Sequence, residues 1–515
     1  MPAVMYRKHS QATEDSTPQA APHAPPFHRR KLEEGLRRFS LTGNRTLWAI
    51  IVLGVIARIV SAIYQRNTVV AMPGVFDQIS YHKLALRVLE GNGFSFDTGW
   101  WPATPANQPT AHWSFLYVLF LAAIYFVTGP IPLAARLIQA ILTGILIPLL
   151  SWRIGRRLFG PKVGIVSAAL SAFYVYFIYY AGALVTESFF ILAVLWVLDI
   201  ATALVDPSHR YFGGKKLKPW LFLGLAFASA TLFRQAYLLL VPFVLAWIAW
   251  QLCWPTSTES PLLGGNKRYE PSGVGGFTKM VLPLLGHIAL TVLIVFALII
   301  PWTVRNYRVF GQFVLLNTNA GFAFFWGNHP IHGTGFIPLL PGNGSTYGNL
   351  IPEELRGFNE ARLDRALLLR GLAFVREDPA RYLLLCLSRV KEYFKFWPSP
   401  SSGILSNWAR VLSFGVCLPF LLYGLLMAIM SVASEGRHSH QQSNSGVILL
   451  LLVSCLYSLI HLMTWTLVRY RLPVDAMTMP FTAFAIAYVF DRFFGVAQTT
   501  NVPHHSSTAG KIFLS

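Results

Sequence analysis

The chain has 515 residues, 54% of them hydrophobic and 12% charged, with a formal charge of +20. A soluble domain carries about 25% charged residues; the low charge content, a mean hydropathy of +0.49 and apolar runs of about 20 residues along the whole length exclude a soluble globular protein. The positive charge does not point to nucleic acid, because the bases lie in short loops beside apolar runs, where they orient membrane helices and favour anionic lipid head groups.

In chain order, residues 1–44 read as a disordered cytoplasmic tail ending in HRRKLEEGLRR. LWAIIVLGVIARIVSAIY (47–64) is a retained first span, too deep in the chain for a cleaved leader. The basic cluster before it places the N-terminus inside, so residues 65–112 form a first external loop. In it, SYHKLALRVLEG puts Leu84, Val88 and Leu89 on one stripe and predicts a short surface helix with Asp77 at its N-terminus. A carboxylate there is stabilised by the helix dipole, so a plain cap and a reactive acid are both open readings. The run 113–129 is short for a crossing and is followed at once by PIP, which suggests a re-entrant or interfacial segment.

A span over 133–152 leads to the basic loop RIGRRLFGPK, and one over 163–181 returns to the outer face at Thr186-Glu187. The span 188–204 goes inward. The run 219–252 exceeds one bilayer thickness and reads as a hairpin turning near Arg234-Gln235. After a cytoplasmic loop with Lys267 and Arg268, the span 281–301 ends at Pro301, and residues 302–405 form an external segment. Within it, the stretch from Pro352 to Pro379 predicts a helix. RYLLLCLSRVKEYFKFW then places Leu383, Leu387, Val390, Phe394 and Trp397 at helical spacing, apart from Ser388, Lys391 and Lys395, as suits a helix lying in the interface. Spans over 409–431, 447–466 and 473–490 follow, then a cytoplasmic tail over 494–515. The expectation is an all-α polytopic membrane protein of about 10–12 transmembrane helices, in an N-terminal module (45–301), an external segment (302–405) and a C-terminal helical part (406–493). Cys253, Cys386, Cys417 and Cys455 have no metal-type spacing and read as small packing residues.

This topology gathers Asp77, Glu187, Arg234, Arg305, Arg469 and Arg471 on one side of the membrane. Ionisable groups at membrane depth are expensive and seldom idle. Acids facing arginines suit a reaction that removes a proton and stabilises a phosphate, for which the planar guanidinium fork is well shaped. A second carboxylate at Glu187 has the chemistry to hold a divalent cation or to position an acceptor, and no spacing decides between them. Neither GxxxxGK[ST] nor a dinucleotide fingerprint occurs.

An ordered set of motifs runs through residues 45–490: an acid after the first span with Y..A..L..G.G behind it, the GRRLFG loop, an acid after an aromatic span, PWTVRNYRVFGQFVLLNTNAGFAFFWGNHP, and RYRLP. The set resembles the GT-C superfamily of polytopic glycosyltransferases, in the bacterial branch akin to protein O-mannosyltransferases and lipid A aminoarabinose transferases. The resemblance implies a glycosyltransferase of the bacterial inner membrane. It would take a polyprenyl-phosphate sugar donor and a lipid, glycan or protein acceptor on the non-cytoplasmic side, and no nucleic acid. It implies a general base at Asp77 and a second catalytic acid at Glu187. Donor phosphate contacts fall on Arg305, Arg469 or Arg471, with Arg234 beside them, and cavity positions on Gln78, Tyr81 and Asn306. Protein mannosyltransferases carry Glu after the first-loop Asp; Gln78 stands there here, a departure that leaves the implied base intact and both a divalent cation and protein mannosylation as open readings. Carriers or flippases of lipid-linked sugars, and glycan polymerases or ligases, share many of these features.

Overall fold

A computed structural model describes residues 26–73, 75–206, 217–253, 274–338, 340, 347–400, 402–434 and 441–494; the side chains of 26–44, 274–280, 433–434, 441–444 and 494 lie outside that description. The chain divides into two units, Met1–Leu47 and Trp48–Ser515. The described part of the first unit is the beginning of helix α1; the remaining helices all belong to the second. The readings of residues 1–25, of the loop at 254–273 and of the tail beyond 494 fall outside the described residues.

The helices are α1 (Pro26–Tyr64), α2 (Gln78–Leu89), α3 (Phe115–Thr128), α4 (Pro132–Phe159), α5 (Pro161–Phe173), α6 (Val175–Gly182), α7 (Glu187–Leu204), α8 (Leu217–Phe233), α9 (Val241–Cys253), α10 (Val274–Phe310), α11 (Ala320–Asn328), α12 (Glu360–Glu377), α13 (Pro379–Tyr393), α14 (Ile404–Arg410), α15 (Val416–Ser434), α16 (Gln441–Met463) and α17 (Leu472–Phe494). Among the described residues, eight helices are long and apolar enough to cross a membrane, or nine if α5 and α6, bent by 50°, count as one. The hairpin read over 219–252 is α8 and α9, joined at Arg234, whose backbone is extended, and a 3-10 turn at Gln235–Leu240. The 17 residues of α8 lie at the lower limit of a spanning length of about 17–25 residues, and the 14 of α3 fall short of it.

Four expectations are corrected. Residues 26–44 continue α1 as helix rather than disordered tail; Leu, Glu, Arg and Lys there are good helix formers. The basic loop at Arg153, Arg156 and Arg157 is the last part of α4, which stops at Gly160 with a φ of 95°, a conformation that favours glycine. Pro301 does not end α10, which runs on to Phe310 and so makes Arg305 and Asn306 helical. The helix expected from Pro352 begins instead at Glu360, because Asn359 accepts from the Arg362 N–H at 2.9 Å and caps it.

Helix breaks inside a bilayer leave carbonyls with no water to turn to, and buried arginines meet them. Arg58 on α1 donates to the carbonyls of Ser171 at 2.8 Å and Ala172 at 2.7 Å, where α5 breaks before α6. Arg136 on α4 donates to Gly182 O at 2.5 Å and Thr68 O at 3.1 Å, and Gln139 reaches Ala181 O and Ala183 O. Arg389 on α13 holds the Gly327 carbonyl, Asn328 Oδ1 at 2.9 Å and Leu462 O at 3.1 Å. All three arginines are fully buried. The face of α13 opposite Arg389 exposes Leu383, Leu387 and Val390, the stripe expected to meet lipid.

In the segment after α10, α11 and α12 share a small core of Phe322, Phe325, Trp326, Ile351, Leu363 and Leu367. Their axes come close at Gly321, where a Cβ would run into the Asp364 carbonyl. Asp364 Oδ1 also accepts the N–H groups of Gly321 at 2.8 Å and Phe322 at 3.2 Å. Gly321→Ala should force the two helices apart at a cost of about 1–3 kcal/mol, read as a lowered thermal midpoint of the purified protein, whereas Gly357→Ala, which meets open space, should leave it unchanged. Burial pushes the Asp364 carboxyl up to about 7, against those two N–H donors and aided by nearby Glu360. The unfolded value is about 3.9, so the folded state holds an extra proton between the two; this stabilisation is complete below about pH 4 and is lost as the pH rises through about 7. Thermal midpoints followed from about pH 4 to pH 8 should therefore decline less steeply in Asp364→Asn than in the wild type.

Candidate active site

Helix α7 links two polar clusters. Its first residue, Glu187, lies at one end of the bundle; near its other end Asp199 pairs with Arg153 at 3.1 Å and Arg157 at 3.0 Å. Asp199 follows Glu187 by 12 residues of α7, which puts the two clusters about 18 Å apart along the helix axis.

At the Glu187 end four charged side chains alternate in sign. Asp77 precedes α2 but does not cap it: no N–H of the helix is bonded to its side chain. Its Oδ2 instead meets Arg469 Nη2 at 2.5 Å. Arg469 Nε lies 3.6 Å from Glu187 Oε1, and the same oxygen accepts from Arg234 Nη2 at 2.7 Å. Arg234 also lies over the rings of Tyr470 at 4.8 Å and Phe190 at 5.3 Å and reaches the Tyr457 hydroxyl at 3.4 Å. The order is Asp77, Arg469, Glu187, Arg234, with no net formal charge. The side chain of Glu187 is 3% exposed and that of Asp77 27%, so Asp77 is the member open to a ligand. Glu187 Oε2 is buried with no protein donor. Tyr81 of α2 lies beside the cluster, and burial, helped by Asp77 and Glu187, pushes its phenol well above the ordinary range; it stays protonated.

Local backbone geometry explains why Arg469 joins and Arg471 does not. Both sit in the 3-10 turn Val468–Arg471, where residues two apart point to different sides. Arg471 turns inward, fully buried, to Asp475 at 2.9 Å, Tyr393 O at 2.8 Å and the Phe414 ring at 3.6 Å. Tyr174 donates to the other Asp475 oxygen at 2.7 Å.

Other expected site residues are also placed elsewhere. Arg305 donates to Thr110 O at 2.9 Å and Asn306 Oδ1 at 3.1 Å and lies over Trp302 at 4.7 Å; it ties α10 to the first loop. Asn306 is buried and holds Leu316 O at 2.8 Å and Val314 O at 3.2 Å. Gln78 is buried, donates to Val70 O and accepts from Arg136 Nη2 at 3.2 Å. These bonds fix the loops around Asp77 rather than extending the row of four charges.

Sequence reasoning passed over Glu360 and His112. Glu360 is 6% exposed; it accepts from the Ala111 N–H at 2.7 Å, the Thr104 hydroxyl at 2.9 Å and the Thr318 hydroxyl. One carboxylate thus joins the first loop, the loop before α11 and α12. In the sequence it looks like any first-turn acid. Among the described residues no three His, Cys, Asp or Glu side chains gather as a metal site. Asp77 and Glu187 already share one guanidinium, so this donor set does not fit a divalent cation. A cleft of about 570 Å³ lined by Phe336, Ser388, Lys391, Lys395 and Trp397 lies along α13, apart from the four charges.

Residues 112–263 match the family model described as dolichyl-phosphate-mannose-protein mannosyltransferase. Among solved structures, the chain is similar to the oligosaccharyltransferase AglB of Archaeoglobus fulgidus in complex with an inhibitory peptide and a dolichol-phosphate, at 14% identity and a TM-score of 0.50, covering 87% of this chain and 50% of that one. The Archaeoglobus fulgidus oligosaccharyltransferase in complex with Zn and sulfate gives 13% and 0.51, covering 86% and 49%. ArnT from Cupriavidus metallidurans bound to undecaprenyl phosphate gives 13% and 0.35, covering 85% and 76%. At these identities the likeness is one of fold, and the chain spans about half the length of the archaeal protein. No curated protein matches the chain.

If Arg471 is structural and Arg469 is not, their alanine variants differ. Arg471→Ala strands a buried Asp475 carboxylate and should cost about 3–5 kcal/mol. Arg469→Ala leaves Glu187 with Arg234 and Asp77 partly hydrated, and should cost far less. Thermal unfolding in one detergent measures both; equal losses contradict the division.

Proposed function

We propose that this member of the GT-C fold superfamily transfers a sugar, a hexose or pentose, from a polyprenyl phosphate to a lipid, glycan or protein acceptor, with Asp77 as general base. The observation that carries the reading is Arg469 lying between a partly open carboxylate, Asp77, and a buried one, Glu187. The archaeal oligosaccharyltransferase of similar fold is seen with a dolichol-phosphate, and that donor chemistry is what the reading carries over here.

In the ligand-free cluster the charges are matched. A donor phosphodiester brings one negative charge and competes for Arg469, which releases Asp77 towards the acceptor. The acceptor hydroxyl or amine then attacks the anomeric carbon from the face opposite the phosphate. Its proton passes to Asp77, the anomeric C–O bond breaks, and both electrons leave with the polyprenyl phosphate, which becomes a dianion. A single displacement of this kind inverts the anomeric centre. Negative charge thus moves from Asp77 to the phosphate while Arg469 stands beside both, so the guanidinium is paired at every stage. Glu187 keeps Arg469 and Arg234 aimed at the phosphate, and Tyr81 walls the cavity.

The reading puts the site on the non-cytoplasmic side of a bacterial inner membrane. Its support is the arginine-rich end of α4, at Arg153, Arg156 and Arg157, on the far side of the bundle from Glu187, as the positive-inside rule requires. No metal enters the mechanism.

With a labelled polyprenyl-phosphate hexose, Asp77→Asn should lower transfer at least about 10²-fold while donor binding is kept. Arg469→Ala should weaken donor binding about tenfold or more. Full activity in the first variant removes the base, and unchanged donor affinity in the second removes the phosphate contact.

A further inference from the structure

An aromatic wall leads away from Asp77, and proton transfer and phosphate departure give it no task. Tyr81 meets the edge of Trp113 at a centroid distance of 5.5 Å. Trp113 faces Trp101 at 6.2 Å, and Trp101 stacks on Trp326 at 5.2 Å with 28° between the planes. His112 closes on Trp101 at 5.6 Å. Trp101 and Trp113 come from the first loop and Trp326 from α11, so separate segments build one surface.

Three features occur together here. Trp101 stays 44% exposed although it stacks on Trp326, which is 4% exposed. The buried indole N–H groups of Trp113 and Trp326 have no protein acceptor, and such a donor costs about 1–3 kcal/mol when left so. His112 has Nδ1 3.1 Å from Thr318 O; that contact assigns the proton to Nδ1 and leaves the Nε2 lone pair as an acceptor. Burial lowers the His112 pKa, against the opposing pull of Glu360, the Thr318 carbonyl and Asp77.

The wall therefore offers the open face of the Trp101 ring and one acceptor nitrogen on His112, with no formal charge, above two buried N–H groups that lack a protein acceptor. A pyranose has the matching surface: a face of C–H groups to lie on an indole, and hydroxyls around its rim that both accept and donate. A peptide would call for backbone pairing or charge, and the wall supplies neither. Asp77 stands one helical turn before Tyr81, whose N–H donates to the Asp77 carbonyl at 3.1 Å, and so lies at the Tyr81 end of the wall. The base must meet the nucleophile, so the wall lies on the acceptor side of the reaction.

We infer that Trp101, Trp113 and Trp326, with His112, form an acceptor platform, and that the acceptor is a carbohydrate chain with one ring on Trp101 and a hydroxyl further along presented to Asp77. The assignment of the acceptor rests on the transferase reading; the binding of a saccharide does not.

Saturation-transfer NMR on the full chain in lipid nanodiscs tests it, with linear tetrasaccharides of glucose, mannose and galactose and a Ser/Thr-rich peptide as probes. At least one saccharide should take up saturation at its ring protons. Trp101→Ala and the bulkier Trp101→Leu should each weaken its binding about three- to tenfold, and Trp101→Phe should keep most of it. Absence of saccharide binding by the wild type, binding of the peptide alone, or equal binding by Trp101→Leu and wild type overturns the inference. Transfer to the peptide that is indifferent to Trp101 would sink the platform and keep the transferase. Saccharide binding without transfer from any polyprenyl-phosphate sugar would do the reverse.

Discussion

The contact of Arg469 with Asp77 and Glu187 organises this end of the molecule. Four distant stretches of chain, at residues 77, 187, 234 and 469, meet here with charges that alternate. In a medium of low polarity a lone charge is very costly and a like-charged neighbour more so. The set of four is therefore charge-matched, with the buried Glu187 held by two guanidinium groups and the partly hydrated Asp77 by one. In the proposed reaction an incoming phosphate replaces Asp77 on Arg469 and frees that carboxylate to act as base.

The chain's many arginines divide by what they hold. Arg58, Arg136 and Arg389 donate to carbonyls left over where helices stop or bend. Arg471 neutralises Asp475, and Arg305 fastens the first loop to α10. These residues shape the scaffold that holds the first loop over the bundle. Arg234 and Arg469 are committed to carboxylates at the site. High positive charge in this protein is thus partly a consequence of broken helices in an apolar setting, where a guanidinium can satisfy several carbonyls at once.

Much of this was legible from the sequence, for identifiable reasons. Apolar runs and flanking bases locate the helices, and an acid placed just before SYHKLALRVLEG marks Asp77. The role of Arg469 was half legible: RYRLP shows two arginines, but a 3-10 turn decides which faces the acids, and spacing alone carries no sign of that turn. Pro301 reads as a helix end in the sequence, whereas α10 continues past it and turns Arg305 to Thr110 O. Glu360, His112 and Trp101 stayed hidden because their meaning lies in contacts across more than 200 residues, such as Glu360 with Ala111 and Trp101 with Trp326. Periodicity says nothing about pairings of that kind.

The most direct trial of the central claim is a cryo-EM structure of the full chain with a polyprenyl phosphate bound. Phosphate oxygens are expected on the Arg469 guanidinium, with the Asp77 carboxylate released from it and open to solvent. A phosphate seated on Arg305 or in the cleft at Lys391, with Asp77 and Arg469 still joined, would contradict it.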